Sequence, residues 1–158
     1  MWLVLARHGH AGRRDQWRGD DSLRPLDSRG RRQAKQLGEL LEPLGPTRLV
    51  SSPYLRCTQT LEPLAGRMGF SIEPEPALVP DGDHQETLAL IRSLSASDAP
   101  SGTVVCTHGE VLATVLTRLA AQDRIKLVRR APGSKGCAWV LEFEDGALSS
   151  SRYIPPGR

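Results

Sequence analysis

Leu3-Val4-Leu5-Ala6-Arg7-His8-Gly9-His10 is the stretch on which the fold turns. An apolar run ends abruptly in an arginine, a histidine and a glycine. Residues 2–6 predict a short strand, apolar on both faces, as in a parallel sheet. The polar cluster then sits at the strand's C-terminal end, which is where open α/β sheets bind ligands. Taken alone, the cluster reads equally well as an exposed basic turn, so its meaning depends on the rest of the chain.

The pattern recurs further along. Thr103-Val104-Val105-Cys106 is a second strand without polar alternation, and it too ends in a polar trio, Thr107-His108-Gly109. Arg48-Leu49-Val50-Ser51 is a third, followed by Ser52-Pro53, the signature of a helix start with Ser as cap and Pro in the first turn. Helical spacing separates these strands. Ala34, Leu37, Leu41 and Leu44 follow a cap at Ser28 and stop at Gly45-Pro46. Leu61, Leu64, Ala65 and Met68 follow Ser52, with a kink or restart expected at Pro63 and an end at Gly69. Residues 70–73 predict another strand. Leu88, Ile91 and Leu94 follow a cap at Asp83, and Val111, Leu112, Val115, Leu116 and Leu119 follow Gly109. Residues 138–143 and 147–153, joined across Asp145-Gly146, predict a β-hairpin. The alternation predicts one domain over 1–158: a three-layer α/β fold with a mostly parallel sheet, helices on both faces, and the hairpin at one edge.

Composition narrows the function classes. With 158 residues, 39% apolar and 25% charged, the chain suits a single soluble globular core. A net charge of +3 fits an anionic substrate. Aromatics at 4% argue against a base-stacking platform, so no nucleic-acid partner is expected. Cys57, Cys106 and Cys137 are odd in number and widely spaced, which fits a reducing, cytoplasmic setting without disulfides. The opening apolar run is too short for a signal peptide, and no stretch has the length to span a bilayer.

Parallel strands bring His8, His108 and Ser51-Ser52 to one side of the sheet, with Arg56 one helical turn beyond Ser52. Two histidines and two arginines, Arg7 and Arg56, then converge. Guanidinium groups hold phosphate through planar, bidentate hydrogen bonds, and a helix N-terminus adds backbone donors. A neutral imidazole in that positive field is a competent nucleophile toward phosphorus. The second histidine can donate to a phosphoryl oxygen. Gly9, beside His8, allows close backbone approach to a phosphate. The polar loop 9–27 is basic; Arg13, Arg14 and Arg18 individually read as solvated surface, and Arg24 as a candidate substrate-loop residue. His8-x-His10 is half of a metal pattern that lacks its other ligands. Cys57 and Cys106 read as packing residues.

In these residues the chain resembles the histidine phosphatase superfamily, the phosphoglycerate mutase-like proteins. The resemblance rests on Arg7-His8-Gly9, on Asp21 to Leu26 followed by Ser28-Arg29-Gly30, on Ser51 to Thr60, and on Thr107-His108-Gly109. The Arg24-Pro25-Leu26 block and the short length are most similar to SixA-type phosphohistidine phosphatases, and also to the phosphatase domains joined to Nudix hydrolases. The resemblance implies that His8 is the nucleophile, that Arg7, Arg56 and His108 hold the phosphoryl oxygens, and that neither metal nor cofactor is needed. The first implied reading is a SixA-like phosphohistidine phosphatase acting on a phosphohistidine protein; the alternatives are a phosphatase of a small phosphate compound such as a nucleoside diphosphate and, from another class, a non-catalytic phospho-ligand module. One departure stands out. Where many members carry a glutamate general acid, this chain has Pro80, with Asp81 and Asp83 as the nearest carboxylates; for Asp83 the helix cap is the preferred reading. A missing acid matters less when the leaving group needs little protonation.

Overall fold

The computed structural model describes residues 1–157. Six strands, β1 (Trp2–Arg7), β2 (Arg48–Ser51), β3 (Ile72–Pro74), β4 (Thr103–Thr107), β5 (Ala138–Glu144) and β6 (Ala147–Ile154), form one sheet in the order β3-β2-β4-β1-β5-β6. The first four are parallel where they pair, and the β5–β6 hairpin adds antiparallel to β1 and closes one edge.

Strand β1 has no polar face because both of its faces are covered. Val4 and Ala6 pack with Leu37 and Leu41 of helix α1 (Ser28–Leu41) and with Leu61 and Leu64 of helix α2 (Leu55–Met68). Leu3 and Leu5 face the other way, toward Ile91 of α3 (His84–Leu94) and toward Val111, Leu112 and Val115 of α4 (Gly109–Gln122). Alternate residues of one strand thus feed two separate apolar layers, which is the three-layer arrangement the sequence predicts. Among the described residues no helix is long and apolar enough to cross a membrane.

Register levels the strand ends. Arg7 sits opposite Thr107, and Ser51 opposite Cys106. The ladder continues one step past each strand, with His8 N–H donating to the Thr107 carbonyl at 3.1 Å and Ser52 N–H to the Cys106 carbonyl at 3.0 Å. His8, Ser52 and His108 therefore leave the sheet at the same height.

Several local expectations need correction. The cap of α1 is Asp27, not Ser28: its carboxylate accepts from Gly30 N–H at 2.8 Å, because Asp27 is extended while Ser28 is already helical. Helix α2 begins at Leu55 rather than beside Ser52, with no side-chain cap, because the Ser52 hydroxyl is engaged elsewhere. Pro63 lies inside α2 without ending it. It lacks a single helical bond, and the burial of Leu61 and Leu64 holds the helix together across it. Strand β3 starts two residues late because Gly69 and Phe70 still donate to the Ala65 carbonyl in the cap of α2.

Candidate active site

His8 is buried at the end of β1. Its backbone is pinned on both sides, by the Thr107 carbonyl and by Gly136 N–H, which donates to the His8 carbonyl at 3.0 Å. The ring Nδ1 lies 2.8 Å from the Gly9 carbonyl. A carbonyl only accepts, so Nδ1 carries the proton and Nε2 carries the lone pair. Arg56 Nε approaches that lone pair at 3.4 Å. Burial lowers the proton affinity of His8 most; the charges of Arg56, Arg7 and Lys135 lower it further, against the hydrogen bond to Gly9, and the pKa falls from 6.5 to about 3.

Arg56 enters the site from the first turn of α2 and is almost fully buried. Its Nη1 donates to the Asp21 carbonyl at 2.8 Å and its Nη2 to the Asp21 carboxylate at 3.1 Å. The other oxygen of Asp21 takes Arg24 Nε at 2.9 Å, and Arg24 Nη1 donates to the Ala11 carbonyl. Asp21 thus bridges two buried arginines and fixes their planes. Burial pushes the Asp21 carboxyl up, but the hydrogen bond from Arg24 and the charges of Arg56 and Arg24 hold it below the usual carboxylate range.

Arg7 Nη1 donates to the Gly133 carbonyl at 2.6 Å, while its buried Nε has no partner among the described residues. The guanidinium lies flat against Gly109, where a Cβ would come within 2.7 Å of Cζ. A side chain at position 109 would displace the Arg7 guanidinium from this position. His108 is fully buried and edge-on to His8, with ring centroids 5.4 Å apart. Burial foremost, then the neighbouring His8 and Arg56, lower its pKa to about 2.

These groups line one cavity of about 500 Å³. It holds six cationic side chains, Arg7, Arg13, Arg14, Arg24, Arg56 and Lys135, against two lining carboxylates, Asp15 and Glu110, and Asp21 behind Arg24 and Arg56. That imbalance makes it a site for an anion. The fold brings Arg7, His8, Arg56 and His108 together, and Arg24, the candidate substrate-loop residue, lines the same cavity. Gly9 behaves differently: its N–H donates to Thr60 Oγ1 at 3.0 Å, and it packs against Gly30, so it does not line the cavity. Asp81 and Asp83 do not line it either, and the Asp83 carboxylate accepts from Gln85 N–H as the cap of α3. Arg13 and Arg14 reach the rim although the sequence reads them as plain surface. His10 also lines the rim, with Nδ1 paired to Asp27. Lys135 and Glu110 escape the sequence reading. Glu110 follows His108-Gly109 directly and was findable by that position; Lys135 lies in an irregular loop with no local signal.

Two neutral histidines and two arginines gathered at the strand ends of a mostly parallel sheet form a site suited to a phosphoryl group. The family model of branch 1 of the histidine phosphatase superfamily matches residues 3–79. The chain is 38% identical over 158 residues to the 8-oxo-(d)GTP phosphatase of Mycolicibacterium smegmatis, a match that takes in 98% of this chain and 48% of that one. The chain thus spans about half the length of this curated relative. In fold it resembles the protein histidine phosphatase SixA solved with tungstate, at 22% identity and a TM-score of 0.76 over 99% of this chain and 96% of that one. It also resembles a mycobacterial glucosyl-3-phosphoglycerate phosphatase solved with VO3, at 18% identity and a TM-score of 0.69 over 96% of each chain.

Proposed function

We propose that this chain hydrolyses a phosphoryl group through a covalent phosphohistidine on His8. One observation carries the reading. His8 is locked as the Nδ1–H tautomer by Gly9, so the Nε2 lone pair faces a cavity walled by guanidinium groups. In the first step Nε2 bonds to phosphorus and the bond from phosphorus to the leaving group breaks. Arg7, Arg56 and His108 take the charge on the phosphoryl oxygens. The Gly9 carbonyl stabilises the imidazole as it gains positive character. In the second step water attacks phosphorus, the N–P bond breaks, and inorganic phosphate leaves with His8 restored.

The direct test is trapping. The protein is mixed with a radiolabelled aryl phosphate and quenched in alkaline detergent, since phosphoramidates are acid-labile. Label is expected on the wild type and none on His8→Ala. Equal labelling of both proteins rules out His8 as the nucleophile, and label on neither supports the non-catalytic binding reading.

For the substrate, the surplus of cations favours a small molecule with more than one anionic group, in the class of nucleoside diphosphates. A single phosphoryl group is met by Arg7, Arg56 and His108, which leaves Lys135, Arg13 and Arg14 in the same cavity for a second anionic group. The 38% identity to an 8-oxo-(d)GTP phosphatase supports a nucleotide substrate. The second reading, a SixA-like phosphohistidine phosphatase, is favoured by the likeness of fold. A turnover panel of nucleoside diphosphates, a phosphohistidine protein and sugar phosphates separates them. A cytoplasmic setting agrees with three free, buried cysteines.

A further inference from the structure

Ser52 stands where the sequence places a helix cap, but its side chain turns into the sheet. Its Oγ lies 2.9 Å from His108 Nε2, and both residues are fully buried. We propose that Ser52 is a positioning residue that fixes His108 as its Nδ1–H tautomer, so that His108 meets the substrate as a hydrogen-bond donor. This rests on the phosphatase reading above and adds to it the protonation state of the second histidine.

The inference follows from counting hydrogens around one ring. The second neighbour of Nε2 is Cys57 Sγ, at 3.6 Å. A hydroxyl and a thiol can each donate or accept, so the tautomer turns on where the Ser52 hydrogen goes. Ser52 Oγ in turn accepts from Tyr54 N–H at 3.4 Å. Among the described residues the one acceptor paired with the Ser52 hydroxyl hydrogen is therefore Nε2 itself. With its lone pair on Nε2, a neutral imidazole carries its proton on Nδ1.

Nδ1 points the same way. It is buried and has no partner among the described residues. A buried N–H without an acceptor is costly, and His108 lines the cavity beside Arg7, His8 and Arg56. A phosphoryl oxygen bound there is the acceptor that satisfies it. The opposite tautomer fails at both ends: it strands the serine hydrogen and aims the Nδ1 lone pair at an anion. The Tyr54 ring, edge-on to His108 with centroids 4.9 Å apart, braces the imidazole in this orientation.

A mechanistic consequence follows. A neutral His108 with its single proton on Nδ1 can donate a hydrogen bond but cannot protonate a leaving group, since that would create an imidazolate. Substrates whose leaving group departs without a proton from His108 are favoured, and phosphate leaving a diphosphate is one.

Nitrogen NMR of the isotope-labelled resting protein reads the tautomer without turnover, with the His108 signals identified by their loss in His108→Gln. The wild type is expected to carry the proton on Nδ1, Ser52→Ala to show a mixture, and Ser52→Thr to match the wild type. Inhibition by inorganic phosphate is expected to weaken about tenfold in Ser52→Ala and to recover in Ser52→Thr. A wild-type proton on Nε2 overturns the proposal, as does a Ser52→Ala protein with unchanged tautomer and unchanged phosphate affinity. If Ser52→Ala does not fold, the wild-type spectrum decides alone. Because trapping on His8 is a separate measurement, a labelled phosphoenzyme with the wrong His108 tautomer sinks this inference and leaves the phosphatase reading standing.

Discussion

Neutrality is common to His8 and His108, and burial among arginines produces it. The consequence for stability has a definite sign. Between the ordinary pKa of 6.5 and the folded values of about 3 and about 2, the unfolded chain binds protons that the folded chain does not. Stability linked to these residues is thus fully present above pH 6.5 and is lost as pH falls toward 3. Denaturant unfolding at about pH 7 and about pH 4.5 is expected to show this loss, and His8→Gln is expected to reduce it. The same shift predicts that kcat/KM, corrected for ionisation of the substrate, has no acid limb near 6.5; a limb there that disappears in His108→Gln contradicts the neutral site. Arg56 is the residue that lysine cannot replace. Its fork spans Asp21 and approaches His8, whereas an ammonium offers no fixed plane. Arg56→Lys is expected to lower kcat/KM by roughly 10- to 100-fold, the loss of one charge-assisted bond or more.

At the level of elements, the active site depends on how closely α1 approaches the loop after β1. A Cβ on Gly30 would come within 1.9 Å of the His10 carbonyl oxygen, a backbone atom that cannot swing aside. Asp27 ties the two segments together, accepting from Gly30 N–H and Gly12 N–H while pairing with His10. Gly30→Ala is therefore expected to destabilise the protein by several kcal/mol, at or above the usual cost of overpacking, and to cut activity with it. Thermal unfolding and turnover on one preparation check this; a wild-type Tm contradicts the packing. The same elements show what the sequence discloses. Strands apolar on both faces and ending in His-Gly pairs are legible because period and punctuation are local properties, and parallel pairing then places Arg7, His8, Arg56 and His108 at one end. Ser52 was misleading because Ser-Pro signals a helix start whether or not the hydroxyl caps it. Gly133 and Lys135 were illegible because the loop that carries them has no period, and only the closed sheet brings it back over His8.

Across the whole molecule, charge is concentrated rather than merely in excess. A net +3 is modest for 158 residues, yet six cations face one cavity of about 500 Å³. The folded chain holds like charges together there, as shown by Lys135, whose pKa is lowered by burial and by Arg7, Arg24 and Arg56. An anion in the cavity relieves that repulsion, and the unfolded chain, with its charges dispersed, gains nothing comparable. Ligand binding to the folded state alone stabilises by about 2.7 kcal/mol at a hundred times the dissociation constant. For a domain of this size, 1 kcal/mol moves Tm by about 2–4 °C. Saturating inorganic phosphate or tungstate is therefore expected to raise Tm by roughly 5–10 °C. Chloride at matched ionic strength screens without bridging the guanidinium groups and is expected to do far less. Arg56→Ala should lose most of the phosphate-specific shift, because it removes the donors and leaves the rest of the field in place. Lys135→Ala should keep most of the shift with phosphate but lose part of it with pyrophosphate, whose second group reaches the rim. Equal shifts for phosphate and pyrophosphate in both variants would mean that the cations act as a diffuse field, and the case for a doubly charged substrate would fall with the rim.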